Sequence, residues 1–125
     1  HSLLEKDIPG KFPDLRWGFV EISAQWVPYV CHDLRYRFMR LGRRMPENLL
    51  EANKIFVACE VTDDIPYILK YAGDDQLMVG TDYGHHDPSA EINAFTIMRN
   101  REDVAPDVMT KILETNARTL YGLDG

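Results

Sequence analysis

Three short apolar runs limit the folds that are open to this chain. Residues 16–22, 54–61 and 76–81 are apolar with little alternation and are rich in β-branched or aromatic side chains. Continuous apolarity of this kind is typical of strands that are covered on both faces, as in a parallel sheet. Segments of helical character follow each run, so the chain alternates strand and helix and then ends in helices. This order predicts right-handed βαβ units and an α/β fold.

The helices between the runs are predicted from apolar spacing and from residues that begin or end helices. Asp63 and Asp64 favour the start of a helix over residues 63–71, and Gly73 ends it. Residues 26–41 carry apolar side chains at spacings of three and four, which predicts one buried helical stripe. The stripe comprises Trp26, Val30, Leu34, Phe38 and Leu41.

The chain after the third run is predicted to be helical to its end. Pro88 and Ser89 begin a segment that continues through Met98, and Pro106 begins another. The apolar face of the second segment comprises Val108, Ile112, Leu113 and Leu120. Asn116 lies inside this segment, where asparagine is a mediocre helix former, so we expect it to hydrogen-bond back to the sheet.

The length of the chain leaves its domain organisation open. It has 125 residues, which suits one small domain and is about half of the ~250 residues of a closed (β/α)8 barrel. Residues 1–11 place Leu3, Leu4 and Ile8 on one helical face and end in Pro9 and Gly10. This pattern predicts the end of a preceding helix, and it favours part of a larger domain over a small complete one.

Composition excludes several classes of protein. Hydrophobic residues make up 45% of the chain and charged residues 27%, which predicts a packed core. The net charge is −6, and the basic cluster from Arg35 to Arg44 is predicted to lie on one helix face, so no nucleic acid partner is expected. Neither a membrane span nor a signal pattern is found, and we expect a cytoplasmic protein. Cys31 and Cys59 lack metal-binding spacing and are predicted to be buried as small apolar residues.

A carboxylate ends or follows each predicted strand. These acids are Glu21, Glu60 and Asp82. Ligands bind at the carboxyl ends of parallel strands, so the three acids could converge on one site. Acids also cap helices, and for Glu60, which lies shortly before the helix that begins near Asp63, we favour the capping interpretation.

Asp82 lies in a dense group of metal-binding side chain types. Residues 80–87 read Gly-Thr-Asp-Tyr-Gly-His-His-Asp, and they follow an apolar strand directly. Carboxylate and imidazole groups are the ligands that zinc and manganese take. Spacing alone leaves a solvated turn equally open, because the chain contains neither an HxH nor an HExxH pattern.

Three segments resemble the amidohydrolase-related family, also called amidohydrolase family 2. Residues 77–83, Leu-Met-Val-Gly-Thr-Asp-Tyr, followed by His85, are similar to that family's strand-8 signature G-S/T-D-Y/F-P-H. Residues 12–26 resemble its FP-x-L-R … E … W segment at strand 6, and residues 116–123 resemble the NA-x-x-L-Y-G-L end of its last helix. The matches occur in the family's order and together extend over nearly the whole chain.

The resemblance implies a (β/α)8 barrel of which residues 1–125 would form the C-terminal part, about strands 6 to 8 with their helices. It also implies a divalent metal, zinc or in some members manganese, held by an HxH pair after strand 1, a histidine after strand 5 and an aspartate after strand 8. Of these ligands only the last has a counterpart here, Asp82, which is predicted to be both metal ligand and catalytic carboxylate. Glu21, Trp26 and His85 are predicted to bind substrate, although Trp26 could equally pack in the core.

Two positions depart from the family pattern. Gly84 stands where the family usually has proline, which leaves the loop backbone freer. Glu21 stands where the member resembling aminocarboxymuconate-semialdehyde decarboxylase has a catalytic histidine. A carboxylate titrates differently from an imidazole, so the second departure weakens the expectation of decarboxylation.

The function expected from the resemblance is metal-assisted hydrolysis of a C–N or C–O bond in a small carboxylated or cyclic substrate. Nonoxidative decarboxylation within the same family is one alternative, and a noncatalytic small α/β binding domain is another. The expected partners are a small-molecule substrate and the remainder of the chain's own barrel upstream, and a homodimer is left open.

Overall fold

A three-stranded parallel sheet organises the molecule. The computed structural model describes residues 1–86 and 90–123. Strands β1 (Trp17–Phe19), β2 (Ile55–Cys59) and β3 (Leu77–Val79) lie side by side in that order, and both pairings are parallel. The predicted α/β class and the predicted adjacent parallel strands are therefore confirmed.

Each strand is shorter than its apolar run, and residues with a left-handed backbone lie next to the strands. Lys54, with a φ of 52°, directly precedes β2. Glu21, with a φ of 60°, follows β1, and Asp82, with a φ of 51°, follows β3. An extended strand cannot continue through a positive φ, so Lys54 and Glu21 limit the strands inside two of the predicted runs, whereas Asp82 lies just beyond the third.

Short helices make up most of the remaining chain. In chain order they are α1 (Ser2–Glu5), α2 (Ile8–Lys11), α3 (Trp26–Arg40), α4 (Leu49–Ala52), α5 (Ile65–Ala72), α6 (Ala94–Arg99), α7 (Pro106–Thr110), a π-helical turn (Lys111–Thr115) and α8 (Asn116–Tyr121). The helix predicted after Asp63 and Asp64 is α5, and Gly73 ends it at a φ of 72°. The predicted helix start at Pro88 and Ser89 lies outside the described residues.

Helix α3 buries a different stripe from the one predicted. Its buried residues are Val27, Pro28, Cys31, Leu34 and Phe38. Trp26 and Val30 are only half-buried, and Leu41 lies beyond the end of the helix with 59% of its surface exposed. The indole N–H of Trp26 donates a hydrogen bond to the carbonyl of Ser23, and the half-buried ring packs against the edge of the core at the start of the helix.

Two further helical predictions need correction. Residues 1–11 form two short helices instead of one, because Asp7 has a φ of 52° between them, and Pro9 and Gly10 lie inside α2 instead of ending a helix. In the last helical segment Ile112 is fully buried, whereas Leu120 is only half-buried. The π-helical turn adds an extra residue to the helical repeat there, so the face predicted for a regular helix shifts toward Asn116.

The main core lies between one face of the sheet and the helices. Ile55, Val57 and Leu77 point into it from the strands, against a layer that includes Ile68 of α5 and Ile112 of the π-helical turn. Burial of each such side chain stabilises the fold by about 1.5–3 kcal/mol. Cys31 and Cys59 are both free and buried, as predicted. Among residues 1–86 and 90–123, no helix has the length and apolarity needed to cross a membrane.

Candidate active and metal-binding site

The two strand-end acids Glu21 and Asp82 lie at the same end of the parallel sheet. Each follows a strand within three residues, and each has a positive φ. A left-handed backbone costs a residue with a Cβ atom about 1–2 kcal/mol, and such costs are typical of functional sites, where the surrounding structure holds the strain. The predicted placement of both acids at the carboxyl edge of the sheet is confirmed.

Glu21, Asp82 and His85 form a cluster of metal-ligating side chains at this edge. The Nδ1 atom of His85 lies 2.6 Å from Oδ1 of Asp82 and 3.9 Å from Oε2 of Glu21. One ligand atom from each of the three residues lies within 4.8 Å of the others. Two carboxylates and one imidazole are a donor set that suits a divalent ion such as zinc or manganese. We call this group the Glu21–Asp82–His85 cluster.

The second carboxylate oxygen of Asp82 has no hydrogen-bond partner among residues 1–86 and 90–123. Its Oδ2 atom is buried, and only 10% of the Asp82 side chain is exposed, compared with 60% for His85 and 53% for Glu21. A buried carboxylate oxygen without a donor is costly, and a bound cation or a proton removes that cost. The burial of Asp82 and the neighbouring ligands therefore fit a metal ion.

A tight turn brings His85 to Asp82. The amide of His85 donates a hydrogen bond to the carbonyl of Asp82 at 3.2 Å, which closes a four-residue turn. Gly84 is the third residue of that turn and has a φ of 96°. Proline is locked near −65° and cannot adopt this angle. The glycine that stands in place of the family's proline is therefore required by this turn geometry, in which the third residue needs a positive φ.

A cavity of about 190 Å³ opens beside the cluster, and we call it the strand-end cavity. Glu21, Glu60 and Asp82 supply its carboxylates, while Met78 and Tyr121 are among its apolar walls. No lysine or arginine lines it among the residues that the structure describes. The cavity therefore combines an acidic edge with an apolar floor.

Comparison with known proteins adds one finding. No protein-family model matches the sequence, and no curated protein matches it. The structure is similar to that of an amidohydrolase from Mycobacterium avium subsp. paratuberculosis, with a TM-score of 0.79 over 95% of this chain and 20% sequence identity. The fold is amidohydrolase-like. The chain spans 31% of the length of that solved structure.

Glu60 does not cap α5. The N-cap of that helix is Asp64, whose side chain accepts a hydrogen bond from the amide of Tyr67 at 3.1 Å. Glu60 instead lies on the wall of the strand-end cavity. The capping interpretation was wrong because α5 begins at Ile65, too far along the chain for the Glu60 carboxylate to replace Asp64.

Trp26 lies apart from the cluster. Its ring packs edge-on against Phe19 at 5.6 Å between centroids, and it lines a different cavity, together with Leu4 and Ile55. The structure thus brings Glu21, His85 and Asp82 together but leaves Trp26 outside their cavity. A contact between Trp26 and substrate stays a prediction.

One residue that supports the site was not predicted for that role. Asp63, expected only to begin a helix, is 97% buried, with 3% of its surface exposed. Its carboxylate accepts hydrogen bonds from the hydroxyl of Ser23 at 2.5 Å, from the amide of Ala24 at 2.8 Å and from the amide of Glu60 at 2.9 Å. The only signal for this role in the sequence is the pair of consecutive acids, Asp63 and Asp64, after a strand. One acid is enough to cap the helix, so the other is free to bond elsewhere.

Proposed function

We propose that this chain is the C-terminal part of a (β/α)8-barrel hydrolase that works with a divalent metal, zinc or alternatively manganese. The observation that carries the proposal is the buried, unpartnered Oδ2 atom of Asp82 beside His85 and Glu21, at the carboxyl edge of a parallel sheet. The amidohydrolase-like fold supports it, since the matched amidohydrolase is about three times as long as this chain. The remainder of the barrel would supply the other metal ligands.

The edges of the sheet support the barrel part of the proposal. In the described residues β1 and β3 are edge strands, each with one neighbour. Val20 and Ile22, just after β1, are 50% and 52% exposed, so apolar surface continues past the edge. Uncovered strand edges are costly and prone to pair with other chains. We expect residues 1–125 expressed alone to aggregate or to melt without cooperativity, and a sharp two-state transition of a 125-residue monomer would support a small complete domain instead.

Asp82, His85 and Glu21 are the residues of this chain that would hold the ion. When bound, a divalent ion polarises a substrate oxygen and acidifies a water molecule so that it ionises near neutral pH. Oδ1 of Asp82 accepts a hydrogen bond from Nδ1–H of His85, which fixes the ring and leaves Nε2 as its free lone pair. The Asp82 carboxylate would accept the proton released during attack and return it to the leaving group.

The cavity wall limits the substrate. With three carboxylates and no basic side chain in the described lining, a free substrate carboxylate would be repelled unless the metal or residues elsewhere in the barrel receive it. Small cyclic amides and esters therefore suit this part of the site best within the class of small carboxylated or cyclic substrates. Glu21 and His85, which also flank the ion, are the proposed substrate contacts of this site, whereas Trp26 lines a separate cavity.

The activity test uses the full-length protein loaded with Zn²⁺ or Mn²⁺ and a panel of lactones, cyclic amides and aromatic carboxylates. Proton release reports hydrolysis, and bicarbonate formation reports the alternative, decarboxylation. Asp82→Asn should lower turnover by about 10²- to 10⁴-fold, the loss typical of a positioned acid or base. Asp64→Asn is the matched control, because it makes the same charge change and keeps a capping side chain at α5. Equal turnover of Asp82→Asn and parent would refute the assignment.

A further inference from the structure

We infer that Asp63 is a positioning residue that holds Glu21 in reach of Asp82 and His85. The inference rests on the proposed function, because it assigns Glu21 to the same metal cluster. The hydrogen bonds of the Asp63 carboxylate go to Ser23, Ala24 and Glu60 and not to the three side chains of the cluster. Asp63 would act through the loop that joins β1 to α3, residues 20–25, which we call the β1–α3 loop.

The β1–α3 loop has an unfavourable backbone that needs support. Glu21 and Ser23 have φ values of 60° and 58°, and neither is a glycine. Two left-handed residues so close together persist only when their surroundings fix them. The support comes from hydrogen bonds at Ser23 and Ala24, which follow Glu21 after one intervening residue.

Those bonds end on Asp63. One carboxylate oxygen of Asp63 accepts from the Ser23 hydroxyl at 2.5 Å, and the other accepts from the Ala24 amide at 2.8 Å. The indole of Trp26 adds a bond to the Ser23 carbonyl at 2.9 Å. The loop is thus held from the side of β2 by one buried acid, 40 residues further along the chain.

Asp63 is in turn fixed to the end of β2. The amide of Glu60 donates to the Asp63 carboxylate, and the guanidinium of Arg101 donates to the backbone carbonyls of Asp63 at 2.9 Å and Val61 at 3.2 Å. Arg101 also pairs with Asp103 at 2.6 Å. The carboxylate therefore joins the backbone after β1 to the backbone after β2, at the edge of the sheet where the cluster lies.

A capping role does not account for these contacts. The N-cap of α5 is Asp64, and both carboxylate oxygens of Asp63 are used by residues that precede the helix. Both backbone amides bond one carboxylate oxygen of Asp63 and the Ser23 hydroxyl bonds the other, so an asparagine could keep all three contacts by donating its amide to Ser23. Asp63→Ala removes all three and should release the β1–α3 loop.

The test measures Zn²⁺ affinity by calorimetry in the full-length protein for the parent, Asp63→Ala, Glu21→Gln and the double variant. Loss of a residue that orients a metal ligand typically lowers metal affinity about 10- to 100-fold. We expect Asp63→Ala to lose affinity in that range and the double variant to lose no more than Glu21→Gln alone, because Asp63 acts through Glu21. Losses that multiply would show that Asp63 acts through its charge or through overall stability, and would overturn the inference.

Amide hydrogen exchange provides a readout that does not depend on the metal. We expect the Ala24 amide to exchange faster in Asp63→Ala and to keep the parent rate in Asp64→Asn. Ser23→Ala, which removes only the hydroxyl bond, should accelerate exchange in the same loop and gives a milder variant if Asp63→Ala folds poorly. If the parent binds no Zn²⁺, the proposed function fails, and exchange alone then decides the role of Asp63. An unchanged exchange rate of the Ala24 amide in both the Asp63 variant and Ser23→Ala would overturn the inference that Asp63 holds the β1–α3 loop.

Discussion

The imidazole of His85 and the carboxylate of Asp82 contact each other across one turn, with 2.6 Å between Nδ1 and Oδ1. The two residues are three positions apart, so the contact depends on the local backbone and not on distant packing. The amide of His85 bonds the carbonyl of Asp82 in the same turn. The placement of His85 therefore depends on the conformation of the residues between them, above all Gly84.

Gly84→Ala should weaken metal binding through the backbone. A Cβ atom at Gly84 would meet no atom within 4 Å in the part of the chain that the structure describes, but a φ of 96° is unfavourable for alanine. The turn should open at a cost of about 1–2 kcal/mol and carry His85 away from Asp82. We expect a Zn²⁺ affinity at least several-fold lower in calorimetric titration.

Gly42→Ala is the control for Gly84→Ala. Gly42 has a φ of 65° and equally open surroundings, and it lies just after the end of α3, outside the cluster. It should lose similar stability in thermal unfolding and bind Zn²⁺ like the parent. Equal effects of both substitutions on Zn²⁺ affinity would mean that the turn does not place His85.

Much of the fold could be predicted because it follows from local chemistry. Apolar runs without alternation indicated three parallel strands, and the acids at their ends, Glu21 and Asp82, were expected at one edge of the sheet. Asn116 was expected to bond back to the sheet, and its amide donates to the carbonyls of Asp74 and Leu77. Each of these predictions depends on a residue's own chemistry and on the period of its element.

The errors arose where distant contacts decide between local alternatives. Val30 and Cys31 of α3 are neighbouring apolar residues that both contact the core, and only packing against the rest of the fold decides that Cys31 is the more deeply buried. Asp63 and Asp64 are equally good capping residues, and only the loop after β1, far away in sequence, assigns them different tasks. No spacing rule in one sequence contains that information.

Asn116→Ala should destabilise the fold. The Asn116 side chain is 2% exposed, and its amide donates to the carbonyl of Leu77 at 2.7 Å, next to the outer edge of β3. Loss of the donor leaves buried carbonyl oxygens unpaired, at about 1–3 kcal/mol. Urea unfolding measures the change. The control is Thr110→Ala, which removes an exposed hydrogen bond within α7 and should change the free energy of unfolding by less than about 0.5 kcal/mol. An equal effect of the two variants would show that the Asn116 side chain contributes no more than a surface hydrogen bond.

The two cysteines should resist alkylation in the folded protein. Burial raises the pKa of the Cys59 thiol to about 12 and that of Cys31 to about 11, so almost no reactive thiolate forms near pH 8. Iodoacetamide should label neither thiol in the native state and both in urea, as read by mass spectrometry. Rapid native labelling of Cys59 would contradict its place in the core.

The raised pKa of the Cys59 thiol should also make the stability of the fold depend on pH in alkaline solution. The folded state keeps the Cys59 proton up to about pH 12, whereas an ordinary thiol has a pKa of 9.0. The contribution of this thiol to the free energy of unfolding is therefore fully present below pH 9.0, and it is lost as the pH rises from 9.0 to about 12. Cys59→Ala should remove this part of the alkaline decline in the free energy of unfolding. An identical decline in the parent and in Cys59→Ala between pH 9 and pH 12 would show that the thiol contributes nothing to it.

Metal content of the full-length protein tests the central claim most directly. The protein should be purified without added chelator, and its zinc and manganese measured by inductively coupled plasma mass spectrometry, for the parent, Asp82→Asn and the control Asp64→Asn. We expect close to one equivalent of divalent metal in the parent and in Asp64→Asn. Asp82→Asn should contain clearly less, because an amide replaces the buried carboxylate. A parent without bound metal, or an Asp82→Asn variant that retains the full equivalent at unchanged affinity, would contradict the assignment of Asp82 as a metal ligand.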